Sequence, residues 1–292
     1  MKKLRKSSPR KSSGKRKVRR PGSFWSWMMS KGNGKVRWGV GILIAILYIY
    51  IFYTFLVAPF SLRWRGVFGE AYYPAGYSIR GIDISHHQGK INWDKLRWAK
   101  IGDEPLSFIF MKATEGKSLV DRQFNHNFVQ AHDYGFIRGA YHFFVPGVPA
   151  ELQAQNYLSE AKLIAGDLPP VLDIEITGSL SPEELRKETL EWLRIVERHF
   201  GVPPILYTNY TFKKNYLNTP EFDKYPYWIA HYYVKQLRYE GDWKFWQHTD
   251  KGKLPGIKGD VDLNLFNGSM YNLRLLTLPD SLDHTGLINQ KI

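Results

Sequence analysis

Two carboxylates occupy alternate positions in a short apolar segment, PPVLDIEI, at Asp173 and Glu175. Because side chains alternate along a β-strand, these two acids would share one face, whereas Leu172, Ile174 and Ile176 would share the other. A solvated edge strand can show the same pattern. This segment, however, lies in the middle of a βα alternation, where both faces of a strand are normally covered. We therefore predict a site of proton-transfer chemistry at the carboxyl end of this strand.

The same alternation of acidic and apolar residues recurs in segments near both ends of the domain. In GIDISHHQG, Asp83 and Ser85 alternate with isoleucines, and in GDVDLNLF, Asp262 and Asn264 alternate with apolar residues. If the strands close into a barrel, the first strand meets the last, so Asp83 and Asp262 would lie together near the central acid pair. The sequence allows Asp260 to be either a solvated turn acid or a further cleft acid, and it is left out of this predicted cluster.

Five further side chains are predicted to surround the acids and to bind substrate. A saccharide-cleaving site needs acids for proton transfer, and aromatic rings offer flat apolar surfaces to sugar rings. Any one of these aromatic residues alone would be more typical of a protein core. The predicted substrate-binding residues are Tyr141, Tyr207, Trp228, Trp246 and Gln247.

The elements that must position these residues alternate between apolar strands and amphipathic helices, which predicts an α/β fold with a parallel sheet. Helix 181–200 has the clearest boundaries, because Ser181, Pro182 and Glu184 form an N-terminal capping pattern and Gly201 ends it. The other predicted helices span 121–134 and 150–165. The predicted strands span 79–85, 107–113, 136–144, 169–176, 203–209, 225–232, 243–249 and 260–264, the last three without long helices between them.

Eight motifs in this order resemble the glycoside hydrolase family 25 lysozymes, the Chalaropsis-type N-acetylmuramidases. They are GIDISHHQG, FIFMKATEG, GAYHFF, LPPVLDIE, ILYTN, YWIAHY, WQHT and GDVDLNLF. The resemblance covers about residues 80–268 and implies an irregular (β/α)5(β)3 TIM-like barrel. It also implies hydrolysis of the β-1,4 bond between N-acetylmuramic acid and N-acetylglucosamine in peptidoglycan.

The resemblance implies a catalytic role for four acids. Glu175 matches the general acid of the family and Asp173 its partner, while Asp83 and Asp262 match the acids on the first and last strands. Since two residues along a strand span only about 7 Å, Asp173 lies too close to Glu175 to attack the opposite side of a sugar ring. We expect the substrate's own 2-acetamido oxygen to attack, assisted by Asp173, with net retention. The alternative is an inverting reaction in which Asp173 or Asp83 activates water.

The N-terminal region is chemically different from the rest of the chain. Residues 1–37 hold 14 of the 41 Lys and Arg residues and no acid, and residues 38–62 are uncharged. The uncharged segment is long enough for a membrane-spanning helix, and the basic segment indicates a cytoplasmic N-terminus. We predict a disordered basic tail (1–37), a transmembrane helix (38–62), a connector (63–79), a catalytic barrel (80–268) and a C-terminal extension (269–292).

Composition excludes several other kinds of protein. The chain has no cysteine, so disulfide scaffolds and thiolate chemistry are excluded. No metal or other cofactor is expected, because His86 and His87 are adjacent and would point apart. The expected partners are peptidoglycan strands, the bilayer around 38–62 and anionic headgroups beside the tail, and no nucleic acid. A glycan-binding sensor without activity, or a glycosidase for another amino-sugar polymer, remains an alternative.

Overall fold

The computed structural model describes residues 34–58, 72–239 and 241–280, which fall into two compact units, Met1–Pro59 and Phe60–Ile292. Most of the predicted tail, about half of the predicted connector and residues 281–292 of the predicted extension lie outside the described residues.

The first unit contains one long apolar helix. Helix α1 (Gly34–Phe52) continues into a π-helical turn (Tyr53–Val57). Within it, Arg37–Val57 has a mean hydropathy of 2.5 over 21 residues, and none of that segment is buried. At about 1.5 Å per residue, this helix is roughly 31 Å long, close to the thickness of a bilayer's hydrocarbon core. Residues 59–62 of the predicted span lie outside the described part of the chain.

The second unit is built on a closed sheet of eight strands, which confirms the predicted α/β class and barrel-like closure. In ring order the strands are β1 (Arg80–Ile84), β3 (Glu104–Glu115), β5 (Ile137–Phe143), β6 (Val171–Asp173), β7 (Ile205–Asn209), β8 (Tyr227–Ala230), β9 (Trp243–Gly252) and β10 (Val261–Phe266). Neighbours pair in parallel from β1 to β9, whereas β10 is antiparallel to both β9 and β1. Two short strands that sequence patterns did not predict, β2 (Lys100–Ile101) and β4 (Leu119–Val120), pair with β3 outside the ring.

Helices cover the outside of this sheet. They are α2 (Trp93–Leu96), α3 (Phe124–Asp133), α4 (Ala150–Glu160), α5 (Pro182–Phe200), α6 (Tyr210–Tyr216) and α7 (Met270–Leu276). Helix α5 begins as predicted, because the Ser181 side chain accepts from the Glu184 backbone and Glu184 reaches back to Ser181. It ends at Gly201, whose φ of 68° is left-handed and therefore favours glycine. Helices α2, α6 and α7 are too short for the periodic patterns used in prediction.

Strand alternation divides the core into two layers. Ile82, Leu172 and Leu263 face outward and pack in the layer that includes the helices, whereas Phe110 and Phe245 lie in a separate inner cluster. The acids next to the outward-facing residues therefore point into the barrel. This alternation is the feature of the fold that positions the site.

The predicted strand 169–176 is too long. Strand β6 ends at Asp173, so Glu175 lies in the segment after the strand, and Ile176 is 47% exposed instead of packing with Leu172. The pairing of β6 with both β5 and β7 ends at Asp173. The last hydrogen bond to β7 runs from the Ile174 amide to the Tyr207 carbonyl at 3.0 Å. The alternation nevertheless continues for two residues, because Ile174 is buried in the outer layer with Leu172 and Glu175 lines the same cavity as Asp173, and it is lost only at Ile176.

Candidate active site

A cavity of about 270 Å³ opens at the carboxyl ends of the parallel strands. The first residues of antiparallel β10 reach the same end of the barrel because this strand runs in the opposite direction. All four predicted acids line the cavity. The lining residues are Asp83, Ser85, His87, Lys112, Tyr141, Phe143, Asp173, Glu175, Tyr207, Trp228, Tyr232, Gln247 and Asp262.

Asp83 and Asp262 are brought together by closure of the barrel. Their Cα atoms are direct partners in the antiparallel pairing of β1 with β10. Cross-strand partners have Cβ atoms about 5 Å apart, so two side chains on one face must interact. The expected meeting of first-strand and last-strand acids is therefore observed.

Two side-chain amides hold the Asp83 carboxylate. Asn264 Nδ2 and Gln247 Nε2 donate to Asp83 Oδ2 at 2.6 and 2.8 Å. The orientation of the Asn264 amide follows from its other neighbour, because Trp228 Nε1 can only donate and does so to Asn264 Oδ1 at 2.8 Å.

The Gln247 amide is oriented in a similar way. The hydroxyl groups of Tyr207 and Tyr232 both donate to Gln247 Oε1, at 2.8 and 2.5 Å. Its oxygen is therefore occupied, and its NH₂ group faces Asp83. Together the two amides present N–H donors to a single carboxylate oxygen, an arrangement that favours the ionised form of Asp83.

The Asp83–Asp262 pair holds one proton at neutral pH. Burial raises the pKa of Asp83 to about 6, although the hydrogen bonds from Asn264 and Gln247 oppose this rise. Burial, followed by the charge of Asp83, raises the pKa of Asp262 to about 9. Asp83 is consequently the ionised member at pH 7, and protonated Asp262 is the donor in the hydrogen bond between them.

The central acids are also shifted toward their protonated forms. Burial and then the charge of Glu175 raise the pKa of Asp173 well above its usual range, opposed by Lys112. Burial and then the charge of Asp83 raise the pKa of Glu175. Asp173 is 6% exposed, and its Oδ1 atom has no hydrogen-bond partner among the described residues. A buried carboxyl oxygen without a partner at a cavity wall is a group that a ligand can satisfy.

Lys112 supplies the cation that lies in the cavity wall. Its Nζ atom is 2.6 Å from Glu115 Oε2 and 4.9 Å from the centre of the Phe143 ring. Lys112 therefore lines the cavity while it is paired with Glu115, which is not among the lining residues.

Four of the five predicted substrate-binding residues line the cavity, namely Tyr141, Tyr207, Trp228 and Gln247. Trp246 does not, and its predicted position is wrong. Trp246 is fully buried in the outer layer, and its Nε1 atom donates to the His231 carbonyl at 2.8 Å. Because Gln247 points into the barrel, strand alternation requires its neighbour to point outward.

Sequence reasoning missed two contributors to the site. Tyr232 lies just beyond β8, but in the predicted strand 225–232 it has the same phase as Trp228, so strand alternation could have placed it on the inner face. His87 enters the cavity wall from a 3₁₀ turn (His86–Gln88), and there the two histidine rings lie 4.1 Å apart instead of pointing away from each other. His86 Nδ1 is 2.7 Å from the buried Asp121 carboxylate, which anchors this turn.

Comparison with known proteins identifies relatives of the barrel. The sequence profile of one protein family, Glycosyl hydrolases family 25, matches residues 82–257. This range includes Asp83, Asp173 and Glu175 and ends before Asp262.

Two curated relatives and one solved structure are similar to this chain. YegX of Escherichia coli (strain K12) is 43% identical over 202 residues, covering 69% of this chain and 74% of YegX. Lysozyme M1 of Streptomyces globisporus is 34% identical over 217 residues, covering 68% of this chain and 71% of that protein. The crystal structure of a bacterial lysozyme from Streptomyces coelicolor aligns with a TM-score of 0.63 at 32% identity, covering 68% of this chain and 97% of that one.

Proposed function

The chain belongs to glycosyl hydrolases family 25 as a glycoside hydrolase of the lysozyme type, and from this premise we propose that it cuts the β-1,4 bond between N-acetylmuramic acid and N-acetylglucosamine. The observation that carries the proposal is the convergence of Asp83, Asp173, Glu175 and Asp262 in one cavity. We further describe the barrel as an irregular (β/α)5(β)3 arrangement. A helix after each of the first five ring strands supports this description.

In this proposal Glu175 is the general acid. A proton donor to the glycosidic oxygen must hold its proton at the working pH, and burial together with the charge of Asp83 shifts the pKa of Glu175 in that direction. The ionised Asp83 contributes to this rise and adds negative charge near the positive charge that develops on the sugar ring. Because Asp262 holds its proton, Asp83 and Asp262 together carry a single negative charge.

Asp173 assists the substrate. The N–H of a 2-acetamido group would donate to its free Oδ1 atom, which turns the acetamido oxygen toward the anomeric carbon. That oxygen attacks as the bond to the leaving sugar breaks, and Glu175 gives its proton to the departing oxygen. Glu175 then takes a proton from water as the water opens the cyclic intermediate, which gives net retention. An inverted first product would favour water activated directly by Asp173 or Asp83.

The aromatic and amide side chains of the cavity are proposed to bind the sugar. Tyr141 and Phe143 are partly exposed and offer ring surface. Tyr207, Trp228 and Gln247 are buried and hydrogen-bonded to one another or to Asn264, so they contribute fixed edges to the cavity floor.

We propose that α1 anchors the enzyme in a membrane. Its length, its mean hydropathy and the basic segment before it support a single pass with a cytoplasmic N-terminus. The barrel would then act from the periplasmic or extracellular side on nearby peptidoglycan, and anionic headgroups would attract the tail.

The test uses Glu175→Gln in the full-length chain in detergent. We expect a loss of at least about 100-fold in muropeptide release, because general acid–base catalysis typically contributes a factor of about 10² to 10⁴. Glu151→Gln, an exposed glutamate on α4, is the matched control and should retain wild-type activity.

Mass spectrometry of the products identifies the bond that is cut. N-acetylmuramic acid at the reducing end supports the proposal, and another reducing-end sugar contradicts it. If Glu175→Gln released muropeptides at the wild-type rate, Glu175 would not be the general acid. A wild-type chain that binds peptidoglycan without cutting it would favour the glycan-binding alternative.

A further inference from the structure

A second groove, of about 280 Å³, lies beside the barrel opening near the carboxyl ends of β7 and β8. It is lined by Tyr210, Lys213, Lys214, Asn218, Arg238 and Tyr239. Three of these six side chains are cationic and none is acidic. We call this feature the basic groove.

Lys213 is the buried cation of the basic groove. It is 2% exposed, its Nζ atom donates to the Leu217 carbonyl at 2.8 Å, and it stands 4.8 Å from the centre of the Tyr227 ring. Burial lowers the pKa of Lys213, and the charge of Asp223 opposes this effect. An ammonium group has three N–H donors, so the hydrogen bond to Leu217 leaves capacity for an anionic ligand.

Lys214 and Arg238 are the exposed cations. Neither forms an ion pair within residues 34–58, 72–239 and 241–280, whereas Lys112, Lys224 and Lys251 all contact carboxylates. Glu240, the neighbour of Tyr239, lies outside these ranges. Two cations without carboxylate partners beside a buried third one create a positive potential in the groove.

The basic groove adjoins the catalytic cavity. The Tyr210 ring stacks on the His231 ring, with centroids 4.7 Å apart and planes within 4°. His231 precedes Tyr232, which lines the cavity and donates to Gln247. The segment that contains His231 and Tyr232 therefore separates the groove from the cavity, and a ligand that contacts both must extend across this segment.

We propose that the basic groove binds carboxylate groups of the acidic peptides attached to the glycan strand. This inference rests on the proposed function, because the strand in the cavity would bring its peptides to the groove. Arg238 offers a planar fork that matches a carboxylate, Lys214 adds a second charge, and the hydroxyl groups of Tyr210 and Tyr239 are further donors. The groove would make the enzyme selective for glycan that still carries peptides.

The test compares the full-length wild type with a Lys214→Gln/Arg238→Gln double variant, both in detergent. The two substrates are peptidoglycan with intact peptides and the same polymer after an amidase has removed them. Both are first stripped of phosphodiester-linked chains, so that peptide carboxylates are the anions that differ. A Lys100→Gln/Lys162→Gln variant removes the same total charge from exposed positions elsewhere.

We expect the double variant to lose about 10-fold in kcat/KM on peptide-bearing polymer, mainly through KM, and to match the wild type on stripped polymer. The loss should shrink at 0.5 M salt, because exposed charges are screened. An equal loss on both polymers, or no loss on either, would overturn the proposal.

Co-sedimentation separates this inference from the proposed function. The two charge variants are combined with Glu175→Gln, and their binding to both insoluble polymers is measured without cleavage. Peptide-dependent binding that only the Lys214/Arg238 variant loses supports the groove, even if the wild type cleaves neither polymer. Equal binding to the peptide-bearing and the stripped polymer would overturn the proposal for the groove, whereas the proposed hydrolysis would be unaffected.

Discussion

Replacing Asn264 by leucine tests the hydrogen bonds that hold Asp83 in its ionised state. The substitution keeps the size of the side chain and removes the 2.6 Å donor to Asp83 Oδ2. A hydrogen bond to a charged group contributes about 1.5–3 kcal/mol, and one pKa unit corresponds to about 1.36 kcal/mol. The pKa of Asp83, about 6 in the wild type, should therefore rise by about 1–2 units.

The sign of the stability change follows from proton linkage. Unfolded Asp83 ionises near its ordinary pKa of 3.8, whereas the folded protein keeps this proton up to about pH 6. Between these values the folded state binds more protons, so the free energy of unfolding falls as pH rises. In Asn264→Leu this window extends to about pH 7–8. The free energy of unfolding of the variant should therefore fall further below that of the wild type, by about 1.5–3 kcal/mol, between pH 4 and pH 8.

Two measurements on the full-length chain in detergent test this prediction. Urea denaturation at pH 4–8 gives the free energy of unfolding, and the rate of peptidoglycan solubilisation over the same range gives the acidic limb of the pH–rate profile. We expect that limb to move upward by about 1–2 units. Tyr232→Phe is the control, because Tyr207 still donates to Gln247 and keeps its amide oriented. Coincident pH dependence in Asn264→Leu and wild type would refute the reasoning.

Two remaining predictions concern stability. Ser181→Ala removes the N-cap of α5 and should lower the free energy of unfolding by about 1 kcal/mol in urea, with activity per folded molecule unchanged. Ser179→Ala, in the preceding loop, is its control, and an equal loss there would contradict a capping effect. Trp246→Phe should cost about 1 kcal/mol, because it removes the hydrogen bond to the part-buried His231 carbonyl, while KM stays constant. A tenfold rise in KM at unchanged stability would return Trp246 to the substrate site.

Sequence patterns predicted the parts of the site that depend on strand alternation. Asp83, Asp173 and Asp262 lie inside the barrel because each alternates with outward-facing apolar residues, and this phase is visible in the sequence. The same rule should have excluded Trp246, since it is adjacent to the inward-facing Gln247. Its aromatic side chain is equally typical of a buried core position, so residue type alone does not identify a site residue.

Other features depend on contacts that local sequence does not encode. The orientation of the Gln247 amide depends on hydrogen bonds from Tyr207 and Tyr232, which lie 40 and 15 residues away in sequence. His87 reaches the cavity only because a 3₁₀ turn is anchored on Asp121, 35 residues from His86. The end of β6 at Asp173 depends on where its neighbour stops pairing. Such tertiary constraints set boundaries and turn geometry, which periodicity alone does not determine.

The pairing of β1 with β10 cannot form until the last strand of the barrel has been synthesised. Asp83 and Asp262 are cross-strand partners at the seam where the barrel closes. During synthesis, a chain that has emerged only through β9 carries Asp83, Asp173 and Glu175 but lacks the acid that completes the seam. Its Asp83 also lacks the Asn264 amide, which lies on the same final strand. An unfinished or C-terminally truncated copy therefore cannot assemble this charge arrangement, and the hydrolysis we propose would begin only after the last strand has docked.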